Sequence, residues 1–318
     1  MPRAERQLIS AIRRQAARFR HSGELTLGIG DDTAIIRVAP GSELLVTTDF
    51  SLEGVHFRRD WHPPESVGHR CLVRGLSDIA AMGGKPVAAF LSLALPAKLP
   101  QGWVDRFIKG FLALAKQFSV PLAGGDTAQS PAGVLADIVA IGSVPKGKAI
   151  RRSGAKSGDR IYVTGTLGGS VATLNRLRRG ERLRPKNFPD HFSPTPRIAI
   201  GQYLREHRLT SSMIDLSDGI STDLSHLCEE SRVGALVYAD SLPTIDSSPE
   251  SLAYALHGGE DYELLFTAPH KRRVPKNIAG VMVTDIGEIL PSRRSQMWLE
   301  SEGLRVPLKP KGWEHFKK

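Results

Sequence analysis

The chain has 318 residues, 41% hydrophobic and 24% charged, with a formal net charge of +10. That length suits two ordinary globular domains, and no apolar run is long enough to span a bilayer, so no membrane partner is expected. The charge would suit a nucleic-acid binder, but the basic runs Arg176-Leu177-Arg178-Arg179 and Lys271-Arg272-Arg273 have no interleaved aromatics. They read as solvated loops or helix ends; a polyanionic small substrate would gain from the same field, and no nucleic-acid partner is expected.

The N-terminus is basic, without the apolar core of a secretory signal. Leu8, Ile9, Ile12, Ala16 and Phe19 fall at helical spacing and predict an amphipathic first helix. Next comes Gly28-Ile29-Gly30-Asp31-Asp32-Thr33-Ala34-Ile35-Ile36, then Leu44-Leu45-Val46-Thr47-Thr48-Asp49 and Glu53-Gly54-Val55-His56. The two short apolar runs predict buried strands, one preceded and one followed by acids. Val67, Cys71, Leu72, Leu76, Ile79 and Ala80 form a helical stripe that carries Ser77-Asp78 and stops at Gly83-Gly84. A strand over Val87 to Leu95 and a helix over Trp103 to Phe118 follow. Val120 to Ala123 then runs into Gly124-Gly125-Asp126-Thr127, predicted as a turn whose amides could meet a phosphate. A strand over Val134 to Val144 closes this half.

The boundary is expected near Pro145 to Asp159, giving domains 1–148 and 149–318. Gly142 to Ala149 nearly matches a P-loop, but Ala149 has no hydroxyl for Mg²⁺ and no helix start follows, so a P-loop is rejected. The second half opens with a strand over Ile161 to Thr164, a turn over Gly165 to Gly169 and a helix over Ser170 to Arg178. Lys186 to Pro196 is a Pro-rich loop, and Arg197 to His207 a helix. Met213-Ile214-Asp215-Leu216-Ser217-Asp218-Gly219 is a strand end bearing two acids, followed by a helix over Ile220 to Glu230. Gly258-Gly259-Glu260-Asp261-Tyr262 precedes a strand over Glu263 to Thr267, and Val281 to Glu288 is another strand. Cys71 and Cys228 fit no metal spacing, and a reducing, cytoplasmic compartment suits them.

Taken singly, each acid reads as a cap or a surface charge. Their recurrence at strand ends and glycine turns argues for a shared task. An all-oxygen donor set suits Mg²⁺ rather than zinc, and carboxylates gathered without a cation could not all stay ionised.

In order, Gly-Ile-Gly-Asp-Asp, Thr-Thr-Asp with Gly-Val-His, Leu-Ser-Asp-Ile-Ala-Ala-Met-Gly, Gly-Gly-Asp-Thr, Arg-Ser-Gly-Ala-Lys, Ile-Asp-Leu-Ser-Asp-Gly and Gly-Gly-Glu-Asp-Tyr-Glu-Leu run from Gly28 to Leu264. This series resembles the thiamine-monophosphate kinase family, of the aminoimidazole-ribonucleotide synthetase-like superfamily, and the C-terminal aromatic extends the match to Trp313. The resemblance implies a two-domain α/β fold, each domain a sheet covered by helices, and a homodimer built through the first domain. It implies phosphoryl transfer from ATP to thiamine monophosphate, assisted by several Mg²⁺ ions and giving thiamine diphosphate.

The resemblance also implies site residues. Asp32, Thr47, Thr48, Asp49, Asp78, Asp126, Asp215 and Asp218 match metal positions, with Asp31 in a supporting place. Gly125, Asp126, Arg152 and Ser217 match ATP-contacting positions. His56, Glu260 and Trp313 match positions for thiamine monophosphate, and Asp49, Asp126 and Arg152 are the expected catalytic residues. A sister enzyme that activates a different acceptor with ATP would share the metal set; His56, Glu260 and Trp313 argue against it.

Overall fold

The computed structural model describes residues 2–17, 23–29, 33–292, 295–313 and 316. The chain divides into two compact units, Met1–Ile79 with Gly84–Gly147, and Ala80–Gly83 with Lys148–Lys318.

The first unit contains α1 (Glu5–Ala16), β1 (Leu25–Leu27), β2 (Ile35–Ile36), β3 (Ser42–Leu52), α2 (Pro64–Ala81, whose end enters the second unit), β4 (Lys85–Pro96), α3 (Gln101–Gln117), β5 (Leu122–Ser130) and β6 (Leu135–Pro145). Its main sheet has the order β3-β6-β4-β5, antiparallel except for the β4/β5 pair. α1 buries Leu8, Ala11 and Ala16, while Phe19 lies outside the described residues. α2 buries the whole expected stripe from Val67 to Ala80. It stops where Gly83 takes φ +67, the left-handed residue that commonly ends a helix.

Glycine sets the helix packing here. A Cβ on Gly75 would lie 2.7 Å from the Ala140 Cβ, so α2 rests close on the sheet. A Cβ on Gly68 would lie 2.0 Å from the Phe107 carbonyl oxygen, and one on Gly110 2.0 Å from that of Glu65, so α2 and α3 meet backbone to backbone.

Two sequence expectations change in this unit. The first strands form, but they are only partly buried: Leu45 is 8% exposed, whereas Ile35 is 54% exposed and Val46 61%. β3 ends its sheet, and strand alternation turns Leu44, Val46 and Phe50 to the face opposite Leu45, Thr47 and Asp49. The expected turn at Gly124 to Thr127 is instead part of strand β5. Its pairing with β4 slips between Ala89 and Phe90, a local bulge. Gly125 sits at φ +145, and a Cβ there would lie 1.8 Å from the Leu91 carbonyl oxygen. The two glycines let an irregular backbone stay in the ladder instead of leaving it.

The second unit contains β7 (Asp159–Thr164), α4 (Gly169–Arg178), α5 (Pro189–Phe192), α6 (Ile198–Glu206), β8 (Ser212–Asp215), α7 (Ile220–Ser231), β9 (Gly234–Tyr238), α8 (Pro249–His257), β10 (Leu264–Pro269), β11 (Asn277–Ile278), β12 (Val281–Leu290), β13 (Met297–Ser301) and β14 (Leu304–Pro307). The sheet runs β14-β13-β9-β12-β7-β10-β8, with β11 paired to β12. It is antiparallel except for β13 beside β9. Ile161, Val163, Ile214, Leu265 and Ile286 from the strands share one core with Leu224, Leu227 and Cys228 of α7. The Pro-rich segment is not plain loop: it holds a 3₁₀ turn, Pro185–Asn187, and the short α5. α8 has a cap that the sequence shows, with Ser248 accepting from the Ser251 N–H and Pro249 at the first helical position.

The helix crossing yields a test of sign. Gly→Ala inside an exposed helix stabilises by up to about 1 kcal/mol. Gly110→Ala, which drives a methyl into the Glu65 backbone, is expected to destabilise by about 1–3 kcal/mol. Gly102→Ala in the same helix meets nothing within 4 Å and is expected to be neutral or stabilising. Urea unfolding midpoints of the two variants give the comparison.

Candidate active site

In the first unit, alternation along β3 puts the Thr47 and Asp49 side chains on the face that α2 covers. Thr47 Oγ1 donates a hydrogen bond to Asp78 Oδ2 of α2. Arg74, buried one turn earlier on α2, brings its guanidinium to 3.9 Å from Asp49 Oδ1. Thr48 turns its side chain to the opposite face, so its hydroxyl does not join the Thr47 hydroxyl and the Asp49 carboxylate. Asp31 and Asp32, with Gly30, lie outside the described residues. Among the described residues, no group of three or more His, Cys, Asp or Glu is placed to hold a metal ion.

His56 follows β3 in a pinned loop. The Leu52 N–H donates to His56 Nδ1 at 3.0 Å, so the neutral ring carries its proton on Nε2. Glu53 anchors the same loop by accepting from Arg59 Nε at 2.5 Å and from the Val134 N–H at 2.8 Å.

Gly125 and Asp126, on the bulged stretch of β5, line a cavity of about 780 Å³. Ile9, Ile12 and Arg13 of α1, the Gly28–Ile29 and Thr33–Ala34 segments, Phe90 and Ser92 complete its wall. An apolar side from α1, a glycine-rich backbone and one carboxylate suit a flat heterocycle carrying phosphates. Asp126 Oδ1 accepts from the Thr127 N–H at 2.8 Å. Across the sheet, Asp126 pairs with Ser92 and Ser92 with Asp137. Asp137 Oδ1 is buried and meets no hydrogen-bond donor among the described residues, and burial raises its carboxyl above the usual range. Sequence reasoning passed over Asp137, although an acid alternating with Ala136 and Ile138 in an apolar strand was a visible anomaly.

In the second unit, Asp215 ends β8, paired with Leu264 and 5% exposed. The two acid-bearing loops that follow β8 and precede β10 are laced together. The Glu260 N–H donates to the Ser217 carbonyl at 2.8 Å, the Tyr262 N–H to Leu216 at 2.9 Å, and the Leu216 N–H to Glu263 at 2.8 Å. Such lacing leaves no space for side chains: a Cβ on Gly259 would lie 2.4 Å from the Ser217 oxygen. Glu260 and Tyr262 both take left-handed backbone, φ +66 and φ +53, the strained geometry that recurs at functional loops. The Tyr262 hydroxyl lies 3.5 Å from Glu260 Oε1.

Asp223, in the first turn of α7, accepts from the N–H groups of Asp218 and Gly219, both at 3.0 Å. Burial raises its carboxyl well above the usual range, and the charges of Asp215 and Asp218 push it further. It holds the loop that carries Asp218, and sequence reasoning missed it; an acid just inside a predicted helix start is the capping signal that would have found it. Arg152 is exposed, and its carbonyl accepts from Ser231 Oγ at 2.8 Å, while that Ser231 Oγ accepts from the Gly154 and Ala155 N–H groups, both at 3.1 Å. No sequence signal pointed to Ser231. Trp313, 52% exposed, follows a tail segment seated on the first turn of α7.

The description "AIR synthase related protein" matches this chain twice, its N-terminal domain over residues 30–144 and its C-terminal domain over 156–300. A thiamine-monophosphate kinase of Salmonella typhimurium is 38% identical, covering 96% of this chain and 97% of that one. The chain belongs to the thiamine-monophosphate kinase family. The crystal structure of the thiamine-monophosphate kinase from Stenotrophomonas maltophilia superposes with a TM-score of 0.80 at 33% identity, covering 93% of this chain and 96% of that one. A structure described as AaThiL complexed with AMPPCP and TMP gives 0.78 at 32%, covering 97% and 96%. The resemblance read from the ordered motifs is therefore upheld, as is the expectation of two domains, each a sheet covered by helices.

The Asp223 contact gives a stability test. Asp223→Ala strands two backbone N–H groups and is expected to destabilise by about 1–3 kcal/mol. Asp223→Asn keeps an acceptor oxygen and removes a charge beside Asp215 and Asp218, so it should lose much less. Denaturant unfolding of both variants measures the difference.

Proposed function

We propose that this protein transfers the γ-phosphoryl group of ATP to thiamine monophosphate, giving thiamine diphosphate and ADP. The observation that carries the reading is near full-length likeness to thiamine-monophosphate kinases, among them a solved relative holding AMPPCP and TMP. An oxygen of the monophosphate attacks the γ-phosphorus, and the bond from that phosphorus to the β-phosphate bridging oxygen breaks. The acceptor monoester is largely doubly ionised at neutral pH, its second pKa being about 6, so no general base is assigned. The obstacle is bringing two polyanions together.

The donor chemistry fits Mg²⁺. The carboxylates and hydroxyls are hard oxygen ligands, and Mg²⁺ ordinarily takes one or two carboxylates with substrate phosphates and water, not a full protein cage. Asp32, Thr47, Asp49, Asp78 and Asp126 of the first unit, and Asp215 and Asp218 of the second, would hold the several ions. Bound Mg²⁺ would offset phosphate charge and help align the attacking and leaving oxygens.

The chain's own residues do the positioning. Gly125 and Asp126 present backbone and carboxylate in the 780 Å³ cavity, which suits ATP. The exposed Arg152 and the Ser217 hydroxyl serve the same nucleotide, with Asp49, Asp126 and Arg152 as the catalytic set. His56, Glu260 and Trp313 serve thiamine monophosphate, Glu260 being fixed through its bond to Ser217.

The exposed apolar row Leu44, Val46 and Phe50 on edge strand β3 supports the homodimer reading, because such patches mark interaction surfaces. Among the described residues no helix is long and apolar enough to cross a membrane. Both cysteines are buried free thiols, which supports a reducing, cytoplasmic setting.

Purified protein given ATP, Mg²⁺ and thiamine monophosphate should form thiamine diphosphate, resolved from its precursors by chromatography. Asp49→Asn and Asp126→Asn should each lose about tenfold or more in kcat/KM, since an amide is a weaker Mg²⁺ ligand than a carboxylate. Free thiamine should not react efficiently; its rapid conversion to the monophosphate would show the acceptor to be wrong. For the dimer, Val46→Glu with Phe50→Glu is expected to halve the mass seen by light scattering, and an unchanged mass would remove β3 from the interface.

A further inference from the structure

The C-terminal tail is seated by its backbone. After β14, Leu308 is buried in the second unit's core, and its N–H donates to the Met297 carbonyl at 2.9 Å. Three residues on, the tail meets the first turn of α7. The Lys311 N–H donates to Ser221 Oγ at 3.2 Å, and the Gly312 N–H to Thr222 Oγ1 at 3.0 Å. Ser221 is fully buried, and its oxygen lies 2.8 Å from His257 Nδ1. With the serine oxygen accepting from Lys311, its own proton goes to His257. Burial and the Lys311 charge lower the His257 pKa, which favours the neutral acceptor form.

Gly312 allows this seat. A Cβ there would lie 2.0 Å from the Asp218 carbonyl oxygen and 2.6 Å from Thr222 Oγ1. The nearer atom is backbone that Asp223 already fixes through the Asp218 N–H, so it cannot yield as a flexible side chain would. Only glycine brings the tail this close. The next residue is Trp313, with 52% of its surface exposed. A segment evolved only to tie down a chain end would bury its largest side chain. Here backbone and Leu308 contribute to the attachment, and the indole keeps about half its surface exposed.

We propose that Gly312, with the Ser221 and Thr222 hydroxyls, is a positioning clamp that holds Trp313 for thiamine monophosphate and so sets the enzyme's affinity for the acceptor. The clamp rests on the reading of Trp313 as an acceptor-binding residue. The indole supplies a flat face for the aromatic rings and cationic thiazolium of the substrate. The clamp fixes where that face stands before substrate arrives, which lowers the ordering cost of binding. It has no part in ATP binding or in the transfer step.

The experiment is steady-state kinetics on Gly312→Ala, Thr222→Val, Thr222→Ser and Trp313→Ala, and on Gly312→Ala combined with Trp313→Ala. Gly312→Ala is expected to raise the KM for thiamine monophosphate about five- to tenfold, with kcat and the KM for ATP within about twofold. Thr222→Val should raise the same KM about threefold, and Thr222→Ser should restore it. In the Trp313→Ala background, Gly312→Ala should add less than about twofold, because the clamp has nothing left to present. A raised KM in Trp313→Ala with no change in Gly312→Ala and Thr222→Val would overturn the clamp and leave Trp313 as a substrate residue. An unchanged KM in Trp313→Ala would overturn the reading of Trp313, and the clamp with it. A parallel rise in the KM for ATP, or a full Gly312→Ala effect without the indole, would show the damage to run through Asp218 and would also overturn the clamp.

Discussion

Two backbones can touch only where no side chain stands between them, and this protein hangs its chemistry on such contacts. Gly68 and Gly110 let α2 and α3 meet main chain to main chain, and Gly75 sets α2 down on the sheet. That depth brings Asp78 within hydrogen-bonding distance of Thr47. Gly125 keeps a bulged strand in its ladder while facing a cavity. In the second unit, Gly259 permits the lacing of two acid-bearing loops, and Gly312 permits the tail to rest on Asp218. In each case a methyl would meet a neighbouring atom far inside contact distance.

Charge is the second constraint. Asp223, under a loop that also carries Asp215 and Asp218, has its carboxyl pushed well up by burial and by those neighbours. Asp137 is pushed up by burial alone. Acids held in this way carry an electrostatic cost, because burial and neighbouring like charges both disfavour the ionised form. Arg74 beside Asp49 is a smaller resident answer to the same problem. The net charge of +10 acts at longer range and draws polyanionic substrates without choosing among them.

Helices and strands were legible because their periods are short. The stripe from Val67 to Ala80 reads as one buried helix face, and it is one. The ordered motifs also pointed to the right family, since most of them join an acid to a nearby glycine. Burial was less legible. Leu44, Val46 and Phe50 look like core residues, yet they are exposed, because they stand on edge strand β3 while the apolar cover of their sheet face, Leu25, Ala34 and Ile36, packs against Ala88, Phe90 and Ile141 further in.

What the sequence by itself determined is therefore local: element types, the acids at strand ends, and the family that this order of motifs marks. What only the tertiary structure decided is which groups meet over long chain separations. Gly124 to Thr127 read as a turn because two glycines break local propensity; pairing with β4 supplied the hydrogen bonds that hold it as strand. Thr47 and Asp78 lie 31 residues apart, and Gly312 and Thr222 lie 90 apart. Asp218 and Asp223 are near in sequence, but only the turn into α7 points one at the other's backbone. Contacts of this kind depend on distances of a few ångströms between backbones, and no pattern of residue types along a chain encodes such distances until the chain has packed.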